Sequence, residues 1–334
     1  MNEILNIVET KFIISLSTLP SRYDSLKQCL KSLLEQNYIN YEIHLNIPKY
    51  NKFEGAYTHK LDFNDDKLKI YYIDDIGPIS KVYYTLERTT DMNQRIISVD
   101  DDIIYNKDLL KKYNMILSNN NYSDCCIGFS GIYALNNNGH WDNSFWVCDG
   151  NKIPVYVGII QGYDSACYKR SFFDDNFFTS LKKKDMEWAP NSIYYEDDVI
   201  ISSYLGYKKI MKVVMPSDKF KPRVNHIKNK ISGCNNYRKE YGGSVQNIKN
   251  FYKSKFGKYI RADYLKEIKI GSSKENTKII ELDNFFPSDT RLIFIHKYKD
   301  TFSYEFNNTK LTITRIDENS GWEQNLIVYF YKQS

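Results

Sequence analysis

The chain has no C-x-x-C pair. Its six cysteines, Cys29, Cys125, Cys126, Cys148, Cys167 and Cys234, lack the spacing of a zinc site. They read as reduced thiols of a cytosolic protein. No apolar run approaches the length of a membrane span. The opening Met1-Asn2-Glu3-Ile4-Leu5-Asn6 is too polar for a signal peptide. Excess charge of one sign is also missing. The formal net charge is +5 over 334 residues, and 26% are charged. That balance excludes a disordered chain and a nucleic-acid-scale basic surface. It suits a protein that handles an anionic substrate. What is abundant is tyrosine, with 29 residues, which serves stacking on sugars and bases and any polar surface equally well. The length suffices for one large α/β domain and a smaller one.

One stretch organises the chain: Arg95-Ile96-Ile97-Ser98-Val99-Asp100-Asp101-Asp102-Ile103-Ile104-Tyr105. Its β-branched run without polar alternation predicts a buried parallel strand. Three carboxylates at the end of such a strand repel one another and lose solvation. A hard divalent cation relieves both costs and leaves room for substrate phosphates. In open α/β sheets, ligands bind beyond the carboxyl ends of the strands, where these residues fall.

Around it, strands are expected at 11–16, 41–45, 68–73, 126–129, 155–160 and 209–215. A helix carries Leu26, Cys29, Leu30, Leu33 and Leu34 on one face. The Gly77-Pro78 turn leads into a second helix through Tyr84, Leu86 and Glu87. Strands alternating with helices imply a parallel sheet with crossover connections. A second acidic cluster, Glu196-Asp197-Asp198, precedes Val199, Ile200 and Leu205, and predicts a helix whose first turn holds the carboxylates. A plain helix cap is the alternative reading. From about Lys274 short strands separated by turn signals predict a small antiparallel β domain.

Four motifs in order carry a resemblance: Leu16-Ser17-Thr18-Leu19-Pro20-Ser21-Arg22, Ser32-Leu33-Leu34-Glu35-Gln36, Asp75-Ile76-Gly77-Pro78-Ile79-Ser80-Lys81 and Val99-Asp100-Asp101-Asp102-Ile103-Ile104-Tyr105. Together with the second acidic cluster they cover roughly residues 10 to 230 and resemble nucleotide-sugar glycosyltransferases of the GT-A fold, including the exostosin type with its triple Asp. The resemblance implies a Rossmann-like, mostly parallel central sheet flanked by helices. It implies a nucleoside diphosphate-sugar donor, Mn²⁺ or Mg²⁺, and transfer of the sugar to a hydroxyl of a glycan or glycoconjugate, as in surface polysaccharide synthesis.

It also implies roles. Asp102, Asp100 and His226 would hold the metal. Thr18, Arg22, Asp75, Lys81, Asp100 and Asp101 would meet the donor. Gly162, Tyr163 and Trp141 would lie on the acceptor side. Asp198, with Asp197 beside it, would be the catalytic carboxylate: a base in an inverting enzyme, an orienting group in a retaining one. The expected layout is a catalytic domain over 1–230, a basic lid or linker over 231–273, and a β domain over 274–334 that could support self-association. The expected location is the cytoplasm, with peripheral contact at the inner membrane face and no bound nucleic acid. A nucleotidyltransferase of related fold is the second reading, against which stands the lack of glycine in Ser17–Arg22. A non-enzymatic carbohydrate-binding protein is the third, and it would need no second carboxylate cluster.

Overall fold

The computed structural model describes residues 10–51, 54–58, 61, 63–119, 122–132, 146–147, 154–181, 197–217 and 219–227, and the backbone of five C-terminal strands. In chain order the first half comprises β1 (Phe12–Ser17), α1 (Tyr23–Leu34), β2 (Tyr41–Pro48), the short pair β3 (Tyr50–Asn51) and β4 (Gly55–Ala56), β5 (Leu68–Ile73), α2 (Ser80–Arg88), β6 (Arg95–Ser98), β7 (Ile103–Tyr105) and α3 (Leu109–Leu117). Then come β8 (Cys126–Gly128), β9 (Gly131–Ile132), β10 (Trp146–Val147), β11 (Val155–Tyr156), β12 (Ile159–Ile160), β13 (Ala166–Lys169), α4 (Asp175–Ser180), α5 (Asp197–Tyr207), β14 (Lys212–Val214) and β15 (Arg223–His226).

Eight strands form one sheet in the order β11-β14-β8-β13-β6-β1-β2-β5. Strands β6, β1, β2 and β5 pair in parallel, as do β14 and β8, while β13 and β11 run antiparallel to their neighbours. The expected α/β class, mostly parallel and flanked by helices, is therefore what the chain adopts.

The period of two along each strand divides the core into two layers. Phe12, Ile14 and Leu16 of β1 pack with α1 and α3, while Ile13 packs on the other face with α2, α4 and α5. In β6, Ile97 joins the first layer and Ile96 the second. Helix α1 buries Leu26, Cys29, Leu30 and Leu33, a single stripe at helical spacing. Helix α5 buries Val199 through Leu205 without a gap, so it lies inside the second layer rather than on its surface.

Two expectations need correction. Residues 155–160 do not form one strand. β11 pairs with β14 in the main sheet, and β12 pairs with β9 in a separate three-stranded sheet, with the break at Val157-Gly158. The expected strand at 209–215 shortens to β14, because the residues before it close α5. Lys209 takes φ 60°, its N–H bonds the Gly206 carbonyl, and the Ile210 N–H reaches back to Leu205, a left-handed helix cap built without glycine.

Near the C-terminus, β16 (Thr277–Glu281), β17 (Thr290–His296), β18 (Phe302–Asn307), β19 (Lys310–Arg315) and β20 (Ile327–Lys332) pair antiparallel, as β16-β19-β18 and as β17-β20. These are the β-rich C-terminal strands expected from the sequence. The expected linker at 231–273 lies outside the described residues.

Gly131 gives a direct test of the packing between the small sheet and the main one. A Cβ there would stand 2.7 Å from the Ile159 carbonyl oxygen and 2.8 Å from Val214 Cγ2. Gly131→Ala should lose about 1–3 kcal/mol to overpacking, read as a lower urea midpoint. Gly206→Ala meets nothing nearer than Lys212 Nζ at 3.6 Å and should hold or raise the midpoint, since helix propensity favours alanine.

Candidate active site

Strands β1 and β6 are adjacent and parallel, yet the chain leaves β1 for β2 and β5 on one side before returning to β6 on the other. That reversal opens a crevice at their carboxyl ends. The loop after β1 delivers Arg22, and the turn after β6 delivers Asp100, Asp101 and Asp102. Arg22 Nη1 lies 2.5 Å from Asp101 Oδ1 and 3.5 Å from Asp102 Oδ2. Asp101 drives the Arg22 pKa above its ordinary value against the opposing effect of burial, with Asp102 adding to the rise. Asp101 is itself almost fully buried and serves as the guanidinium's seat.

The second cluster arrives from a distant part of the chain. Helix α5 starts with Asp197 and Asp198, as expected. Lys81, near the start of α2, bridges the two clusters: Nζ is 2.8 Å from Asp100 Oδ1 and 2.8 Å from Asp197 Oδ2. Burial lowers the Lys81 pKa, but Asp100, Asp197 and Asp198 outweigh it and hold the ammonium well above its ordinary value. At Asp100, burial pushes the carboxyl up, while Lys81, Arg22 and His226 pull it down further, so it stays below the usual carboxylate range.

Asp198 behaves differently. Its Oδ1 accepts the Gly162 N–H at 2.9 Å. Burial and then the neighbouring Asp197 push its pKa up to about 7. Gly162 belongs to a one-turn helix over Gly162–Asp164, and a Cβ on it would fall 3.2 Å from Asp198 Oδ1, 3.3 Å from Lys81 Nζ and 3.4 Å from Ser98 Oγ. A side chain at this position would push these three groups back by a few tenths of an ångström.

The far wall is β15, which pairs antiparallel with β7 directly after the triple Asp. It places His226 Nε2 at 3.8 Å from Asp102 Oδ2, and the Ile227 N–H on the Asp102 carbonyl at 2.7 Å. Burial and then Asp101 raise the Asp102 pKa, with Arg22 opposing.

Of the residues singled out from the sequence, Arg22, Lys81, Asp100, Asp101, Asp102, Gly162, Asp197, Asp198 and His226 thus form one connected site. Tyr163 lies at its edge, with the Arg223 guanidinium 4.9 Å from its ring centroid. Thr18 is buried, with a long 3.5 Å contact from its hydroxyl to the Leu19 carbonyl. Asp75 shapes its own loop: Oδ1 accepts the Gly77 N–H at 2.8 Å, where Gly77 takes φ 83°, and Oδ2 accepts from Asn51 at 2.8 Å. Trp141 lies outside the described residues.

Three groups escaped the sequence reading. Arg223 Nε pairs with buried Asp164 Oδ1 at 2.9 Å. The Tyr105 hydroxyl accepts the Asp100 N–H at 2.8 Å. Cys29 Sγ–H donates to the Asp100 carbonyl at 3.3 Å. Arg223 stands three residues before His226 on β15, and no spacing in the sequence marked it.

Among the described residues, no group of three or more His, Cys, Asp or Glu side chains is placed to hold a metal ion. The crevice nonetheless carries an excess of anions. Six carboxylates, Asp100, Asp101, Asp102, Asp164, Asp197 and Asp198, meet three permanent cations, Arg22, Lys81 and Arg223. Asp101 Oδ2 is buried with no hydrogen-bond partner.

No protein-family model matches the chain, and no curated protein sequence matches it. Among solved structures, Staphylococcus aureus TarS residues 1–349 in complex with UDP-GlcNAc has 14% identity and a TM-score of 0.40 over 67% of this chain and 60% of that one. The same TarS segment in another crystal structure matches with a TM-score of 0.35, 14% identity, 61% of this chain and 58% of that one. Francisella tularensis 2-C-methyl-D-erythritol 4-phosphate cytidylyltransferase has 11% identity and a TM-score of 0.37 over 65% of this chain and 94% of that one. The chain thus spans about 60% of the TarS segment. No described helix is long and apolar enough to cross a membrane.

The raised Asp198 pKa predicts a pH-dependent cost. The folded state holds this proton more tightly than the unfolded chain, whose carboxyl titrates near its model value of 3.8. Stability therefore falls as pH rises from about 4 to about 7. Asp198→Asn keeps an acceptor for Gly162 and removes the charge. In chelator-treated protein its melting temperature should exceed the wild type's at pH 8, by roughly 2–4 °C per kcal/mol relieved. The gap should close towards pH 4. A constant gap across that range would contradict the assigned protonation.

Proposed function

We propose that the protein is a metal-dependent glycosyltransferase that moves a sugar from a nucleoside diphosphate-sugar to a hydroxyl of a glycan or glycoconjugate. The observation that carries this reading is the meeting of two acidic clusters from separate elements at the β1/β6 crevice, with one carboxylate, Asp198, pushed up to about 7. A general base works best with a pKa near the ambient pH.

Asp102 and His226 would hold the cation, Mn²⁺ or Mg²⁺, leaving its remaining positions to donor phosphates. When bound, the metal supplies positive charge against the leaving diphosphate. Arg22, seated on Asp101 and partly exposed, adds a permanent cation on the same side. Asp198 takes the proton of the acceptor hydroxyl as its oxygen bonds to the anomeric carbon. The bond from that carbon to the diphosphate breaks, and nucleoside diphosphate leaves. This is single displacement with inversion. Surface polysaccharide or glycoconjugate synthesis is the process that such a product would serve.

Calorimetry against a panel of nucleoside diphosphate-sugars, with Mn²⁺ and with chelator, tests the donor. Binding should need the metal and vanish in Asp102→Ala. With a donor in hand, Asp198→Asn should lose at least about 10²-fold in rate at near-normal donor affinity. The product's anomeric configuration should be inverted. Release of pyrophosphate in place of nucleoside diphosphate would assign nucleotidyl transfer instead.

A further inference from the structure

Lys81 is held from two directions. At its tip, the ammonium contacts Asp100 and Asp197, each at 2.8 Å, and the side chain is 9% exposed. Asp197 Oδ2 is buried with no well-aligned hydrogen-bond donor, so the charge of Lys81 is its compensation. At its base, a buried polar network fixes the backbone. The Ser15 hydroxyl on β1 donates to the Lys81 carbonyl, and Ser15 and Thr85 hydroxyls lie 2.6 Å apart. Asn46 Nδ2 on β2 donates to Thr85 Oγ1 at 3.1 Å and to Ser15 Oγ at 3.3 Å. Arg88 closes the network with Nη1 and Nη2 on Asn46 Oδ1 at 2.9 and 2.7 Å. Ser15, Asn46 and Thr85 are fully buried.

A lysine that reached out to a phosphate would need freedom at its tip. This one has none, because both of its anionic partners and its backbone are fixed. We infer that Lys81 is a positioning residue, an internal counter-cation that locks Asp197 as an anchor joining the two acidic clusters and thereby presents Asp198 to the acceptor. Asp197 and Asp198 are adjacent in the first turn of α5, so fixing one fixes the backbone that carries the other. The Gly162 N–H then sets the direction of the Asp198 carboxylate. The roles of the two aspartates follow: Asp197 holds, and Asp198 acts. The inference rests on the transferase reading for its kinetic part, while its structural part stands without it.

The test combines a folding cycle with kinetics. Lys81→Met, Asp197→Asn and the double variant are compared with the wild type by urea unfolding in chelator. Each variant retains the buried network at the lysine's base. Removing Lys81 alone strands a buried charge and should destabilise strongly. Removing Asp197 as well should restore part of the loss, with a coupling of at least about tenfold in the folding equilibrium constant, or 1.4 kcal/mol. Additive effects would overturn the inference. If Lys81→Met does not fold, Lys81→Gln and Lys81→Gln/Asp197→Asn supply the same cycle with a polar group left at the lysine's tip. A coupling of the same sign must appear there too, and additivity would again count against the lock.

Kinetics with the donor found above separate positioning from phosphate binding. Lys81→Arg should lower kcat at least about tenfold while the donor KM stays within about threefold. A raised donor KM with unchanged kcat would make Lys81 a phosphate ligand and overturn the positioning role. If the wild type binds no nucleoside diphosphate-sugar, the transferase reading fails, and the unfolding cycle still decides whether Lys81 and Asp197 are locked together.

Discussion

The site depends on one buried ammonium. Lys81 sits between Asp100, at the end of a central strand, and Asp197, at the start of a helix about a hundred residues later in the chain. Without a cation there, two groups of carboxylates would face each other at short range, and in low dielectric such repulsion is severe. With it, the same carboxylates become a scaffold. The lysine costs the fold its own desolvation, and it returns that cost only because both contacts are short and its backbone is already anchored. Breaking either contact leaves an unpaired buried charge, so the arrangement is held together as a unit rather than as separate pairs.

Local charge balance explains why neighbouring residues differ so much. Asp101 faces Arg22 at 2.5 Å and serves as its seat. Asp100 has Lys81 and stays ionised below the ordinary range. Asp102 shares Arg22 at 3.5 Å, sees His226 at 3.8 Å, and is raised by burial and by Asp101. Three adjacent aspartates thus have three environments. At the start of α5, Asp197 holds the Lys81 ammonium at 2.8 Å, while burial and the adjacent Asp197 push the Asp198 pKa up to about 7.

Much of this architecture was legible in the sequence because strong local patterns and tertiary packing agree. The run from Leu68 to Ile73 is a strand over the expected residues, α1 buries the stripe its leucines draw, and α5 begins at the carboxylates. The five C-terminal strands all fall after Lys274, where short turn-bounded strands were expected. Where the reading failed, a tertiary demand overrode a local one. The apolar stretch from Val155 to Ile160 looks continuous, but its two halves serve different sheets. The strand before Met215 starts late because Lys209 and Ile210 cap a helix. Within the site, residue types at motif positions were visible, and long-range partners were not. Nothing in the one-dimensional order shows that Lys81 reaches Asp197 or that Arg223 reaches Asp164. Asp75 fell in a motif, and its oxygens are taken up by the Gly77 N–H of its own loop and by Asn51 of β3.

Among the described non-glycine residues, the backbone departs furthest from ordinary geometry at Ser165, which directly follows the turn holding Gly162 and Asp164. Its φ of 82° with ψ of 144° lies in a region that essentially only glycine occupies freely. Such a conformation costs on the order of 1–3 kcal/mol and persists only where the surroundings over-determine it. Here they do. The Ser165 N–H bonds the Gly162 carbonyl at 2.9 Å, and its hydroxyl lies 2.9 Å from that of buried Tyr113. Antiparallel pairing of the next residue, Ala166, with Ser98 of β6 and with Gly128 of β8 fixes where the chain must go. The strained turn aims the Gly162 N–H at Asp198 on one side, and on the other it buries Asp164 against Arg223 of the strand that carries His226. The strain therefore falls at the point where the acidic helix, the central strands and the His226 strand are brought to one place.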